Sequence, residues 1–289
     1  MLIELEVARR LIDAQFPEFR HFALHPIESG GTDNTIFRLG DSFSVRFPKR
    51  AEAAEHIDTE KFWLPRLAAL PVRIPKPQAK GAASSEFPYP WTIYDWCPGQ
   101  ALSETEVKDW AQAAKDISTF LQALQVMDTQ DAPLSGPRNH FRGVPLKNRD
   151  ALTRAAIHGL ADEYPEPELL HHWHDALSAT PHRESPVWLH GDLQGGNILV
   201  FEDRISAIID FGLCGVGDPA CDLMVAWSVL PKQVREPFRQ QIACNEAAWA
   251  RGRGWALSVS AIALEYYRDR NPHLSHISRQ TLSAILTDG

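Results

Sequence analysis

The stretch that decides the fold of this chain is Trp188-Leu-His-Gly-Asp-Leu-Gln-Gly-Gly-Asn-Ile-Leu-Val200, followed closely by Ile208-Ile-Asp-Phe-Gly212. It contains Asp192, Asn197 and Asp210 in the order that phosphoryl transfer from a nucleotide requires. That reaction needs a carboxylate to orient and deprotonate an attacking hydroxyl, and hard oxygen ligands for Mg²⁺ on the phosphates. We therefore predict that Asp192 is catalytic and that Asn197 and Asp210 are metal ligands.

The spacing of these residues predicts a tight loop and a hairpin. Two adjacent glycines lie between Asp192 and Asn197, so the chain can fold back and present both side chains to one cavity. Residues 198–201 and 205–209 are typical of two short buried strands with a turn between them. The hairpin is expected to bring Asp210 back beside Asn197.

The chain resembles the aminoglycoside phosphotransferase family and its small-molecule kinase relatives, which share the protein-kinase fold. The residues that carry the resemblance are His190, Asp192 and Asn197, Asp210-Phe211-Gly212, and Gly217-Asp218-Pro219-Ala-Cys-Asp222. Protein kinases have Arg immediately before the catalytic Asp, whereas this chain has Gly191 there. That difference favours the small-molecule branch of the family, in which His-Gly-Asp is usual.

The resemblance implies an α+β, bilobal, protein-kinase-like fold, with a small β-rich N-lobe and a larger, mostly helical C-lobe. The N-lobe, expected at 1–97, would bind the nucleotide. The C-lobe, expected at 98–289, would hold the catalytic loop and the helices that bind the acceptor. Mg²⁺ is the implied cofactor, and ATP or GTP the implied co-substrate.

Two further residues in these motifs are expected to have structural roles. Asp218 is placed to cap a helix whose first turn contains Pro219, where the missing N–H costs nothing. His190 is expected to support the catalytic loop by hydrogen bonding to backbone near Asp210, rather than to act as a base or metal ligand.

A glycine loop near the N-terminus is the first candidate for phosphate binding. Residues 27–38 have the pattern of a strand, a glycine turn and a second strand. Backbone N–H groups and hydroxyls of the turn could approach phosphate oxygens, which makes the candidates Ser29, Gly30, Gly31 and Thr32. The turn lacks the G-x-G-x-x-G pattern of protein kinases, so an ordinary hairpin turn is the alternative.

Arg46 is the second nucleotide-binding candidate. It lies in the alternating strand Phe43–Pro48, where protein kinases have a lysine, and a guanidinium can grip phosphate through two donors. We predict that Glu60, in a helix over 53–70, pairs with Arg46 and holds it. Glu55 is the alternative partner, and a solvated surface position is the alternative for all three residues.

The segment Tyr89–Gly99 reads as a buried strand that runs into a linker and ends at Pro98-Gly99. The resemblance makes this the hinge between the lobes. Backbone groups near Asp95, Trp96 and Cys97 are therefore expected to hydrogen-bond the adenine edge.

Composition limits the class of protein. A chain of 289 residues with 44% hydrophobic residues can build one large domain or two fused lobes. A net charge of −8 argues against a nucleic acid or an anionic membrane as partner. The four cysteines form no C-x-x-C pair, and neither a signal pattern nor a bilayer-length apolar run occurs, so we expect a cytoplasmic protein with reduced thiols.

The rest of the chain reads as helical. The capping-box pattern Ser103-Glu-Thr-Glu106 predicts a helix start, and a 3.6-residue stripe of apolar residues continues to Leu121. Further helices are predicted at 147–160, 166–178, 218–229, 232–250, 254–269 and 275–286.

Two charged features of this region have alternative interpretations. His171-His-Trp-His174 is expected to be an exposed helix surface, because no closed set of four zinc ligands is apparent. Residues 155–185 hold six acidic side chains against one arginine. This acidic stretch is either a solvated helix face or, if it borders the cleft, an attraction for a polyamine.

The sequence thus predicts an enzyme that transfers a phosphoryl group to a small-molecule hydroxyl. The resemblance favours an antibiotic acceptor, an aminoglycoside or a macrolide, and hence a role in resistance. A metabolic kinase for an amino alcohol, sugar or nucleoside is the alternative. A nucleotide-binding pseudokinase is the less favoured alternative, because all three polar catalytic positions are present.

Overall fold

A computed structural model describes residues 2–27 and 33–288. The chain forms two compact units. The first runs to Gly99 and also contains Ser206–Gly212; the second comprises Gln100–Ile205 and the chain from Leu213 onward. The segment Ser206–Gly212, which carries the Asp-Phe-Gly motif, thus groups with the N-terminal part of the chain. The division into a nucleotide-binding lobe at 1–97 and a catalytic lobe at 98–289 remains a prediction.

The first unit is built on a five-stranded antiparallel sheet. Its elements are α1 (Leu5–Gln15), β1 (Leu24–Ile27), β2 (Asn34–Leu39), β3 (Phe43–Pro48), α2 (Ala51–Trp63), β4 (Pro77–Gly81) and β5 (Trp91–Asp95). Among the described residues, the strand order is β1-β2-β3-β5-β4. This order makes β3 and β5 neighbours in the middle of the sheet, with Arg46 opposite Thr92.

An aromatic cluster forms the core of the first unit. Phe47 of β3 stacks on Trp91 of β5, with ring centroids 4.9 Å apart, and α1 adds Ala8, Leu11 and Ile12. Position 81 requires glycine, because a Cβ there would lie 2.0 Å from the Trp91 ring. Such packing fixes the register of the central strands.

Helix α2 is shorter than predicted. It ends at Trp63 and is followed by turns, whereas the apolar stripe predicted a helix to residue 70. Leu64 and Leu67 are nevertheless buried. The periodicity therefore identified Leu64 and Leu67 as core residues, but Phe62 of the same apolar stripe is exposed, and the end of the helix was predicted wrongly.

The second unit is mostly helical. Its helices are α3 (Trp110–Gln125), α4 (Asp150–Gly159), α5 (Glu166–Ser178), α6 (Val225–Ser228), α7 (Lys232–Gln241), α8 (Glu246–Tyr267) and α9 (Pro272–Leu286). Its short strands are β6 (Gln100–Ala101), β7 (Val187–Leu189), β8 (Ile198–Phe201), β9 (Arg204–Ile208) and β10 (Gly215–Gly217). β7 pairs with β10, while β6, β8 and β9 form a sheet in that order. The chain passes into the first unit within β9.

The strands predicted around the catalytic loop are present, but the start of α3 was predicted wrongly. The helix begins at Trp110, and the Asp109 side chain accepts the cap bond from the Gln112 N–H at 2.9 Å. Ser103 lies in a short 3₁₀ turn at Leu102–Glu104. The helix is thus capped by Asp109, directly before Trp110, and the capping-box pattern at 103–106 does not start it.

The break between α7 and α8 was also predicted wrongly. We expected helices at 232–250 and 254–269, but α7 ends at Gln241 and α8 starts after its N-cap, Asn245. The predicted break at residues 251–253 lies inside α8, as do Gly252 and Gly254. A Cβ on Gly254 would come within 2.4 Å of Ala176, so these glycines permit close helix packing.

None of the described helices combines the length and apolar character needed to cross a bilayer.

Candidate active site

In the first unit, Arg46 is held by Glu60. The alternation of β3 buries Val45 and Phe47 and turns Arg46 to the other face of the sheet. Its NH1 donates to both carboxylate oxygens of Glu60, each at 3.1 Å. Glu60 is 1% exposed, whereas Glu55 is exposed on the same helix. The predicted Arg46–Glu60 pair is therefore confirmed, and the alternative partner is not used.

Glu60 also binds two groups that the sequence did not indicate. The buried Tyr94 hydroxyl, from β5, donates to Glu60 Oε2, and the Phe211 backbone N–H donates to Oε1 at 3.0 Å. Burial raises the pKa of Tyr94 well above its ordinary value, so the phenol keeps its proton and remains a donor. One buried carboxylate thus joins β3, β5 and the Asp-Phe-Gly segment.

Asp210 receives the other end of the Arg46 guanidinium. NH2 of Arg46 lies 3.2 Å from Asp210 Oδ1, and the Asp210 side chain is 43% exposed. Burial lowers the Arg46 pKa, but the charges of Glu60 and Asp210 outweigh it and raise the pKa overall. The guanidinium is therefore a permanent cation fixed between two carboxylates.

The glycine of the Asp-Phe-Gly segment has a steric role. A Cβ on Gly212 would lie 2.8 Å from the ring nitrogen Nδ1 of His56, on α2. Asp210 itself has φ +65°, a conformation that non-glycine residues rarely adopt. The backbone around Asp210 is thus determined by packing against α2 and not by local preference.

Of the predicted hinge residues, Asp95 ends β5, and Trp96 and Cys97 follow it. The Trp96 N–H donates to the Ser42 carbonyl at 2.8 Å, and the Trp96 carbonyl accepts from Arg73 at 3.3 Å. The Asp95 N–H donates to the Lys76 carbonyl at 2.9 Å. The candidates Ser29, Gly30, Gly31 and Thr32 lie outside the described residues.

In the second unit, the loop after β7 folds back as predicted and joins Asp192 to Asn197. Asn197 Nδ2 donates to the Asp192 carbonyl at 2.9 Å and to the Asp192 carboxylate at 3.0 Å. The Gln194 side chain donates to the same carboxylate oxygen, also at 3.0 Å. The orientation of the Asn197 amide directs its nitrogen to Asp192, so its oxygen points elsewhere.

Asp222 fixes the backbone of this loop. Its carboxylate accepts from the N–H groups of His190, at 2.7 Å, and Gly191, at 2.8 Å. The His190 ring accepts from the Asp192 N–H at 3.2 Å, which agrees with a supporting role. Burial raises the pKa of Asp222, and the two backbone bonds oppose that rise. The second aspartate of the Asp-Pro-x-x-Asp segment is therefore a structural clamp.

Position 191 admits only glycine. Gly191 has φ +82°, and a Cβ there would lie 2.5 Å from the Leu213 carbonyl oxygen. An arginine, as protein kinases have here, would be strained and would clash with backbone. A guanidinium approaches Asp192 instead from Arg142, whose NH2 lies 3.7 Å from Asp192 Oδ1. No sequence signal singled out Arg142.

Asp218 accepts from the Ala220 N–H at 3.0 Å and so caps the following turn, as predicted. That turn, Pro219–Met224, is 3₁₀, however, and only Val225–Ser228 of the helix predicted over 218–229 is α-helical. Asp218 also forms a buried ion pair with Arg251 of α8, at 2.7 Å. This second bond ties the turn that carries Asp222 to the longest helix of the unit. No pattern in the sequence indicated the Arg251 partner.

Three of the six carboxylates in the acidic stretch at 155–185 lie close to arginines. Asp162 binds Arg268 at 3.1 Å and Glu163 binds Arg279 at 2.9 Å, while Asp175 lies 3.9 Å from Arg253. Arg253 and Arg279 come from α8 and α9, and Arg268 is the C-cap residue of α8. The charge of the stretch is therefore partly compensated by arginines. Among the described residues, no three His, Cys, Asp or Glu side chains gather as a metal site.

Three solved structures show the same fold over nearly the whole chain. Wild-type aminoglycoside 2'-phosphotransferase-IIIa bound to GDP matches with a TM-score of 0.75 and 19% identity over 98% of each chain. An aminoglycoside phosphotransferase bound to GDP and kanamycin matches with 0.76 and 18%, over 99% of this chain and 100% of that one. The macrolide 2'-phosphotransferase MphH from Brachybacterium faecium gives 0.62 and 22%, over 89% and 91%.

These likenesses confirm the predicted α+β class and kinase-like fold. No curated protein sequence gives a significant match. The family model described as the phosphotransferase enzyme family matches residues 24–255, which is more than half of the chain and includes every motif discussed above. The chain therefore belongs to the phosphotransferase enzyme family.

Proposed function

We propose that this protein transfers the γ-phosphoryl group of ATP or GTP to a hydroxyl of a small molecule. The observation that carries the proposal is the Arg46 guanidinium, which Glu60 and Asp210 hold in one orientation. A cation fixed in this way is preorganised for phosphate oxygens, because no further ordering is needed when the nucleotide binds. Membership of the phosphotransferase enzyme family supports the same chemistry.

Asp192 is the proposed catalytic residue. Two amides, from Gln194 and Asn197, fix one of its carboxylate oxygens, and this restricts the orientation of the whole group. A carboxylate held in this way can align an acceptor hydroxyl and accept its proton late in the transfer, when the bond to the leaving nucleotide is already weak.

Asn197 and Asp210 are the proposed Mg²⁺ ligands. Both offer hard oxygens, the donor type that Mg²⁺ prefers. The Asn197 nitrogen is engaged by Asp192, so the amide has its oxygen available for the metal, and the Asp210 carboxylate is partly exposed. The residues therefore fit the ion. When bound, Mg²⁺ would neutralise charge on the nucleotide phosphates.

We assign the adenine or guanine edge to the backbone of Asp95 and Cys97. Trp96 was also predicted here, but its backbone groups, like the Asp95 N–H, already bond within the unit. The groups proposed for the purine are therefore the Asp95 carbonyl as acceptor and the Cys97 N–H as donor, which match the paired donor and acceptor of a purine edge. The phosphate-loop role of Ser29, Gly30, Gly31 and Thr32 is proposed from the sequence alone.

The acceptor we propose is an aminoglycoside, with a role in antibiotic resistance in the cytoplasm. The support is the match to aminoglycoside phosphotransferase structures over 98% and 99% of this chain, compared with 89% for the macrolide enzyme. The acidic stretch at 155–185 adds little support, because arginines already lie close to three of its six carboxylates. Macrolides, and then amino alcohols, sugars or nucleosides, are the alternative acceptors.

The test is nucleotide turnover by the purified protein. ADP and GDP release would be measured with ATP and GTP over a panel containing kanamycin, erythromycin, choline, a hexose and a nucleoside, with product mass confirmed. We expect turnover with kanamycin in the parent and none in Asp192→Ala. If erythromycin or choline is turned over and kanamycin is not, that compound class would be the acceptor and the aminoglycoside assignment would be wrong. If the protein binds nucleotide but phosphorylates none of the hydroxyl compounds, the result would favour a pseudokinase.

A further inference from the structure

Arg142 is the charged residue nearest to Asp192 that no motif predicts. Its NH2 lies 3.7 Å from Asp192 Oδ1, and its side chain is 12% exposed. A Cβ built on Gly191 would lie 3.4 Å from the Arg142 Cβ. The Arg142 side chain therefore passes over the glycine that precedes Asp192 and places its charge beside that carboxylate.

The loop around Arg142 is constrained to hold it in this place. His140 and Phe141 both have positive φ, at +51° and +58°, and Gly143 follows with φ +85°. The buried Asn139 compensates for part of this strain, because its side chain accepts from the Gly136 N–H at 2.9 Å and donates to the Arg142 carbonyl at 3.0 Å. Strained backbone that surrounding contacts enforce is typical of functional positions.

The buried guanidinium of Arg142 forms few of the hydrogen bonds that would offset the cost of burying its charge. In the part of the chain that the structure describes, its Nε and NH1 atoms are buried without a hydrogen-bond partner. Arg149 lies close enough that burial and, next, the Arg142 charge lower the Arg149 pKa to about 10. A buried, partly unsatisfied cation beside another cation adds little to folding stability.

By contrast, the bonds of Arg149 are those of a structural arginine. Its Nε donates to Ser258 at 2.9 Å and its NH1 to the His140 carbonyl at 3.2 Å. Its guanidinium also lies 5.0 Å from the Trp255 ring centre. Two buried arginines seven residues apart thus have different environments, and this gives a matched control.

We propose that Arg142 is a positioning residue for Asp192, and that it supplies from the 139–143 loop the guanidinium that position 191 cannot carry. It holds the Asp192 carboxylate in the orientation that the acceptor hydroxyl requires. The inference rests on the proposed function, because it assigns to Asp192 the role of the catalytic carboxylate.

The first test needs no substrate. Thermal unfolding would be compared for the parent, Arg142→Met, Arg149→Met, Asp192→Asn and the double variant Arg142→Met/Asp192→Asn. We expect Arg142→Met to melt at or above the parent temperature and Arg149→Met to melt clearly below it. Asp192→Asn should cost more stability in the parent than in the Arg142→Met background, because only in the parent is a cation left without its partner. Additive effects, or equal losses for both arginine variants, would overturn the proposal.

The second test is kinetic, with kanamycin as the acceptor probe. Arg142→Met should lower kcat about tenfold or more, since misplacing a catalytic group is costly, while the KM for the nucleotide changes less than about twofold. Arg142→Lys should recover part of kcat, because it restores the charge without the fork geometry. Parental kcat in Arg142→Met would refute the inference. If the parent protein phosphorylates no acceptor, the proposed function is refuted instead. The unfolding measurements on the Arg142 and Asp192 variants would then still show whether the two residues are coupled.

Discussion

Glu60→Gln is the substitution whose effect the structure defines best. The Glu60 carboxylate is buried and accepts from Arg46, Tyr94 and the Phe211 N–H. A glutamine keeps the shape but replaces one acceptor oxygen with a donor, which must then face another donor. It also leaves the buried Arg46 without its main counter-charge, so both the stability of the unit and the orientation of the guanidinium should suffer.

The expected size follows from these contacts. Breaking a buried ion pair by removing one partner costs about 3–5 kcal/mol. Because Asp210 still faces Arg46 at 3.2 Å and the glutamine oxygen still accepts, we expect a smaller loss than that, about 2–3 kcal/mol of unfolding free energy. For a protein of this size, that loss lowers Tm by about 5–10 °C.

The assay combines unfolding with nucleotide kinetics. Urea and thermal unfolding of Glu60→Gln would be compared with Glu55→Gln, which changes an exposed residue of the same helix and should match the parent. KM for the nucleotide should rise in Glu60→Gln much as it does in Arg46→Ala, and the double variant should lose less than the sum. Parental stability in Glu60→Gln, equal effects of the two glutamate variants, or strictly additive kinetic losses would refute the reasoning.

Three further predictions concern the two motif segments. Asp192→Ala should lower turnover about 10²-fold or more with nucleotide affinity unchanged, as fluorescent-nucleotide titration would show; equal loss of affinity would contradict the assignment. Asn197→Ala and Asp210→Asn should each raise the Mg²⁺ concentration needed for half-maximal turnover, since each removes a hard oxygen or its charge; an unchanged Mg²⁺ requirement would place the metal elsewhere. Gly191→Ala should cost about 1–3 kcal/mol from backbone strain in urea unfolding, whereas Gly196→Ala, where no atom lies within 4 Å of an added Cβ, should cost far less.

The sequence was sufficient for the elements whose signal is local. The catalytic loop, the strand of Arg46 and the Arg46–Glu60 pair could be predicted because alternation and helical periodicity place those side chains. Helix ends were harder to predict. At the α7–α8 junction, the Asn245 side chain accepts from the Ala248 N–H at 2.8 Å and starts a helix, while Gly252 and Gly254 resemble a break only when their packing partners are unknown.

Contacts across long sequence separations could not be read from the sequence. Tyr94 contributes its hydroxyl to Glu60, and Arg251 pairs with Asp218, but no spacing rule links either pair. The acidic stretch shows the same limit for charge. Six acidic residues against one basic residue is a local count, and the arginines that partly compensate it, such as Arg268 opposite Asp162, lie about a hundred residues further along the chain.

The backbone conformation of Asp210 shows why local sequence patterns do not predict the geometry of this proposed metal ligand. Seven described non-glycine residues have positive φ. Two of them, Glu202 and Asp203, form the hairpin turn before β9, where that conformation matches the twist of the strands. Asp210 has no such local reason, and its conformation is set by Glu60 and α2 through the Phe211 N–H and Gly212. A side chain that must meet an ionic ligand is thus fixed by contacts made elsewhere, which a local interpretation of the sequence cannot supply.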